Sequence, residues 1–298
     1  MIDHIDFSPL HDILILNPDG SVQPMDEPYF RAEKIGENTW KILSDGDFSY
    51  LAAGEEAAIS IDTGYGSGNI QRFEQTLTEV PVRFAANTHD HFDHTAGNAY
   101  FESVYMSRET LPLATVPYPS FAGITFPPAS DVRLVRDGDR IDLGGRSLLV
   151  LSMPDHAVGS LLFLDEKYRI LFAGDEIGEM KRINGSVEKV QRQLMRLVTF
   201  RVRYDTICAG PGVYPADLPD RLLEAVTQIL EGAQGEPVQA GSYHAPSVPG
   251  YEGRTIYERR GPRPQDLPKD FDQPNPFKRV YAHAGVRIEY DIRKIREA

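Results

Sequence analysis

The chain has 298 residues, 41% of them hydrophobic, enough for one large α/β domain or two small ones with a real core. A formal net charge of −13 argues against a broad surface for nucleic acid or anionic membrane, where phosphate contacts need clustered lysine and arginine. One cysteine, Cys208, leaves no internal disulfide and no cysteine-based zinc site.

Residues 1–35 carry no clear pattern. Trp40–Leu43 and Tyr50–Ala53 read as short strands, and the apolar run Ala57–Ile61 ends in Asp62-Thr63-Gly64. Ile70, Phe73 and Leu77 have helical spacing, and Val82–Ala86 is the next strand. Strands follow at Val132–Val135, Ser147–Leu151, Leu161–Leu164 and Ile170–Ala173. Ser186 is an N-cap for a helix whose apolar positions are Val187, Val190, Leu194, Leu197 and Val198. Thr206–Cys208 is a short strand, and Leu222, Leu223, Val226, Ile229 and Leu230 mark a last helix. The alternation predicts layered α/β architecture. After residue 235 the composition shifts to Pro, Gly and charge, and Arg279–Tyr281 with Val286–Tyr290 reads as a hairpin. The expected division is a domain over 1–235 and an extension over 236–298, serving as a lid or a dimerisation arm. A homodimer is one expectation. With no basic or apolar leader at the first residues and no run of about 20 apolar residues, the expected setting is the cytoplasm, with no membrane partner.

Three of the eight histidines fall within residues 89–94, interleaved with two aspartates. His89 and His91 stand two apart, so on an extended segment their imidazoles point the same way and converge on one ion. Asp93 and His94 come where the chain curls into a helix, aimed at a second position. Imidazole and carboxylate donors suit zinc, with manganese or iron as other occupants.

His89-x-His91-x-Asp93-His94 resembles the signature of the metallo-β-lactamase superfamily. Three more segments are similar to that family in the same order: Asp62-Thr63-Gly64, Pro154-Asp155-His156-Ala157-Val158-Gly159-Ser160 and Phe172-Ala173-Gly174-Asp175. The resemblance covers about residues 35–233. It implies a four-layer αβ/βα sandwich of two mixed sheets with helices outside and metals at one edge. It also implies the ligand set His89, His91, Asp93, His94, His156 and Asp175, with Asp175 bridging.

Two positions depart from the family pattern. The final histidine is replaced in Ala209-Gly210-Pro211-Gly212, and Pro211 has no donor atom. The second site is then empty or weak, completed by water or substrate, or completed by His244 or His283. Asp155 stands where the family has a small glycine; it either hydrogen-bonds a ligand imidazole or faces solvent.

A zinc ion in an open site lowers the pKa of its water from about 15.7 to about 7. Asp93 is the catalytic candidate, orienting that water and carrying its proton. The expected activity is hydrolysis of a small ester, thioester, lactone or amide, with one or two zinc ions per chain and no nucleic-acid partner. Tyr65, Lys181 and Arg182 lie near motif ends, as substrate contacts or surface residues. One alternative is a mononuclear iron dioxygenase acting on sulfur compounds, which the missing ligand would suit. Another is a degenerate member that binds a ligand or partner without turnover.

Overall fold

The computed structural model describes residues 30–44, 47–66, 68–116, 128–238 and 275–297, and the backbone of three outlying strands. Strands β1 (Ile13–Leu16) and β2 (Val22–Pro24) belong to a small separate sheet. The first large sheet runs in chain order through β3 (Phe30–Gly36), β4 (Thr39–Ser44), β5 (Asp47–Ala53), β6 (Ala58–Ile61), β7 (Val82–Ala86), β8 (Ser103–Met106) and β9 (Val132–Leu134). Its first four strands are antiparallel and its last three crossings parallel. Helices α1 (Ile70–Glu74) and α2 (Phe92–Thr95) sit in the β6–β7 and β7–β8 connections.

The second large sheet holds β10 (Arg140–Asp142), β11 (Ser147–Ser152), β12 (Leu161–Asp165), β13 (Ile170–Gly174), β15 (Thr206–Ala209) and β16 (Gly212–Pro215). Between β13 and β15 come β14 (Met180–Arg182) and helix α3 (Val187–Val198). Helix α4 (Leu218–Leu230) follows β16. Strands β17 (Glu236–Pro237), β19 (Lys278–His283) and β20 (Val286–Asp291) join β14 in a four-stranded sheet, while β18 (Thr255–Glu258) pairs with β1.

Period-two burial builds the layers. Leu148 and Val150 of β11 face Ile59, Ile61 and Phe84 of the first sheet, forming the central core. Their neighbours Leu149 and Leu151 face the opposite way, onto Val190, Leu194, Leu222 and Val226 of α3 and α4. On the far side, Ile42, Leu51 and Ala85 pack beneath Ile70. Helix, sheet, sheet and helix are therefore stacked, as the family resemblance implies. The buried Arg146 guanidinium staples the two sheets together. It pairs with Asp165 of β12 at 2.6 Å and donates to Asn38 O, Ala53 O and Thr39 Oγ1 of the first sheet.

Helix α3 starts as expected, with Ser186 Oγ accepting from Lys189 N–H at 3.1 Å. Helix α1 is shorter than the apolar spacing to Leu77 suggests. Gln75 Nε2 donates to Thr78 O and Val80 O, and its Oε1 accepts from Val82 N–H, drawing the chain out of the helix into β7. Strands β3, β8, β10, β14 and β16 had no signal of their own. The C-terminal hairpin forms as expected and is pinned on both sides: β20 pairs parallel with β14, and Tyr281 and His283 lie against α4. Residues 239–254 and 259–274, including His244, lie outside the described residues. Among the described residues no helix is long and apolar enough to cross a membrane.

Candidate metal centre

The centre lies where β7, the β11–β12 loop and the end of β13 meet at one edge of the sandwich. β7 is buried and delivers Thr88 and His89 at its C-terminal end. His91 then occupies the N-cap of α2, and the single turn of that helix places Asp93 and His94 inward. His94 is pinned from its backbone, since its carbonyl accepts from Asn87 Nδ2 at 3.0 Å and Thr63 Oγ1 at 3.1 Å.

Two overlapping groups of donors result: His89, His91 and His156, and His89, His94 and Asp175. Within each, the ligating atoms lie within 4.8 Å of one another. Asp175 stands between the groups, with Oδ2 3.6 Å from His156 Nε2 and Oδ1 3.7 Å from His94 Nε2. Asp93 Oδ2 lies 3.6 Å from His94 Nε2. All six residues singled out by the sequence are thus brought to one place. Nε2 of His89, Nε2 of His94 and Oδ1 of Asp175 are buried with no hydrogen-bond partner. Three such atoms converging is a costly arrangement unless a cation receives them, so the residues fit a divalent ion.

The tautomers follow from one residue just beyond β6. Asp62 sits at φ +62°, in the left-handed region that aspartate tolerates better than most side chains. Its Oδ1 accepts Thr88 N–H at 2.7 Å, and its Oδ2 accepts the Thr88 hydroxyl at 2.7 Å and His94 Nδ1–H at 2.9 Å. The Thr88 hydroxyl proton is thereby committed, so Thr88 Oγ1 accepts from His89 Nδ1–H at 3.0 Å. His89 then presents an Nε2 lone pair to the centre, and His94 does so once its Nε2 proton is displaced. Gly174, at φ +49°, makes room for this: a Cβ there would collide with Thr88 Oγ1. The β13–β15 register shifts between Phe172 and Gly174, which turns the following Asp175 into the site.

Burial, with His94, His156 and His91 beside it, holds the His89 pKa well below the usual imidazole value. Burial also lowers His156, to about 4, reinforced by His91, Lys181 and His94 and opposed by Asp175. Burial pulls His94 down as well, but Asp62, Asp93 and Asp175 together outweigh it and raise its pKa well above the usual value.

The Ala209–Gly212 turn, where the resemblance leads one to expect a last ligand, lies against Asp175. Gly210 N–H donates to Gly174 O at 3.0 Å, and a Cβ at 210 would run into Asp175 Oδ1. The Tyr50 hydroxyl, 2.6 Å from Ala209 O and 3.1 Å from Gly212 O, holds the turn. His283 is not brought to the centre; it pairs with Glu224 at 3.1 Å on α4.

Asp155 neither bonds a ligand imidazole nor faces solvent. It is buried, with Oδ2 3.0 Å from Lys181 Nζ and Oδ1 accepting Gly185 N–H at 2.9 Å, because a carboxylate so enclosed requires a cation and donors. Lys181 is equally buried and is no surface or substrate residue. Arg182 is half exposed beside Glu289, and the Tyr65 ring meets Phe92 edge-on at 5.1 Å. Glu176 and Thr88 were missed, and Asp62 was read only as part of a family-like segment, without its role. Their only signal in the sequence is adjacency to ligands or to an apolar run.

The sequence profile of the metallo-beta-lactamase superfamily matches residues 45–231. The Gallus gallus protein named acyl-coenzyme A thioesterase MBLAC2 is 31% identical over 156 residues, covering 43% of this chain and 56% of its own length. A Photobacterium profundum protein named hydroxyacylglutathione hydrolase is 25% identical over 139 residues, covering 46% and 49%. The chain therefore spans about half the length of these curated relatives. Among solved structures, a metallo-beta-lactamase from Pontibacter korlensis superposes with a TM-score of 0.55 at 18% identity, over 66% of this chain and 99% of its own. A second, from Erythrobacter litoralis, gives 0.53 at 15% identity, over 68% and 98%.

Proposed function

Because the chain belongs to the metallo-β-lactamase superfamily, we propose that it is a metal-dependent hydrolase of small acyl thioesters. The observation that carries this is the convergence of three buried, unpartnered donor atoms between two histidine groups. Zinc is the proposed metal, on the imidazole-rich donor set. His89, His91 and His156 would hold the first ion. Asp93, His94 and Asp175 would hold a second, one ligand short at Pro211. Thioesters are favoured over esters, lactones and amides by the names of the relatives, which point to acyl groups carried on coenzyme A and glutathione.

A divalent ion in this place supplies Lewis acidity, polarising the acyl carbonyl and lowering the pKa of water. The chain's own residues do the rest. Asp93 holds the water and accepts its proton at a carboxylate oxygen. Asp62 and Thr88 keep the imidazoles in the donating tautomer. Val158, 66% exposed and two residues after His156 in the same loop, is the proposed apolar contact for an acyl group.

The test is metal content of the purified protein, followed by a panel of acyl thioesters, oxyesters and lactones. About one or two zinc ions per chain with thioester cleavage lost in Asp93→Asn is the expected result. Stoichiometric iron with oxygen consumption would replace it by the sulfur dioxygenase reading, which the ligand missing at Pro211 favours. Protein that binds no metal would leave a non-catalytic binding member.

A further inference from the structure

The loop that carries His156, residues 154–159, belongs to no helix or strand, so side chains must satisfy and fix its backbone. Glu176 takes the two amides around His156 itself. Its Oε1 accepts two consecutive backbone N–H groups of that loop, from Asp155 at 3.0 Å and from His156 at 2.6 Å. Its Oε2 accepts from Lys181 Nζ at 2.7 Å, and the same ammonium lies 3.0 Å from Asp155 Oδ2. Gly185 N–H closes the ring onto Asp155 Oδ1, and Asn184 Nδ2 donates to His156 O at 2.9 Å.

All three charged side chains are buried: Asp155 is 7% exposed, Glu176 2% and Lys181 2%. A buried ionic cluster is poor evidence of stabilisation, since apolar replacements of like volume often do as well. What an apolar side chain could not do is receive two amide protons from a ligand loop. Glu176 also follows Asp175 directly in the chain. One dipeptide therefore places a carboxylate in the centre and grips the backbone of the histidine facing it.

We propose that Glu176 and Lys181 are positioning residues of the metal centre: Glu176 sets the His156 imidazole against the Asp175 carboxylate, and Lys181 holds Glu176 and Asp155 in that arrangement. The proposal rests on the reading of this cluster as a metal site.

The experiment compares wild type with Glu176→Gln, Glu176→Leu and Lys181→Met. It measures zinc affinity by chelator competition, the visible spectrum of cobalt(II)-loaded protein, and the melting temperature of the metal-free form. Glu176→Leu and Lys181→Met should bind the first ion about 10–100-fold more weakly, with an altered cobalt spectrum. Glu176→Gln keeps one oxygen for the two loop amides but turns its amide nitrogen toward Lys181, so its affinity should fall between those of wild type and Glu176→Leu. Folded leucine and methionine variants with wild-type affinity and spectrum, changed only in melting temperature, would show a purely structural role and overturn the proposal. Should those two fail to fold, the glutamine variant decides: a folded Glu176→Gln protein with wild-type affinity and spectrum overturns it, and one that binds the ion more weakly with an altered spectrum supports it. Wild type that binds no zinc or cobalt would overturn the metal reading together with it.

Discussion

Thr88 has one hydroxyl proton, and its placement on Asp62 decides which nitrogen of His89 faces the centre. Gly174→Ala would press a methyl group onto that hydroxyl and force a left-handed backbone on alanine. We expect it to fold with little metal bound, as read by metal analysis and circular dichroism; normal metal content would refute the crowding argument. Asp62→Asn has one oxygen for three donors and should weaken metal binding by about 10–100-fold, measured by chelator competition. His94 gives a pH dependence of defined sign. Its pKa is raised in the metal-free fold, so its stabilising contribution is complete below the unfolded value of about 6.5 and is lost as pH climbs through the raised value. An ion bound by His94 must displace that proton, whereas His89 and His156 are already neutral. Second-ion affinity should therefore rise with pH and release about one proton, seen by titration calorimetry in buffers of different ionisation enthalpy. His94→Ala should abolish both effects.

At the level of elements, the buried Arg146–Asp165 pair ties β12 to the β3–β4 and β5–β6 turns. Arg146→Ala leaves the Asp165 carboxylate unpaired among buried groups and should cost about 3–5 kcal/mol in denaturant unfolding. The double change Arg146→Met with Asp165→Leu should recover most of that loss; failure to recover would mean that the carbonyl contacts of Arg146 dominate. The same element-level view explains which strands could be read. β11, β12 and β13 are apolar on both faces because one face meets the other sheet and the other meets α3 and α4. β14 reads Met-Lys-Arg and exists only because β20 lies beside it, more than 100 residues later in the chain. β3 likewise exposes four of its seven residues and takes its form from pairing with β4.

Across the whole molecule, the metal cluster was legible because four of its six residues stand within six positions, and the other two end apolar strands or follow them. The roles of Asp62 and Glu176 were not, since their partners lie 26 and 20 residues away and nothing local marks the meeting. Stability of the whole fold should follow metal supply. Zinc at about 100 times its dissociation constant stabilises a protein that binds it only when folded by about 2.7 kcal/mol, so chelation should lower the melting temperature and zinc should restore it. The family profile ends at residue 231, while the parallel partner of the Lys181 strand runs from Val286 to Asp291. This separation gives the centre an order of assembly. On a growing chain, every ligand from His89 to Asp175 is made long before the strand that fixes β14, and contacts so distant in sequence form late. The His156 loop is therefore the last part of the centre to set, and capacity to hold the first ion should emerge in refolding together with amide protection of β20, after the two sheets have closed.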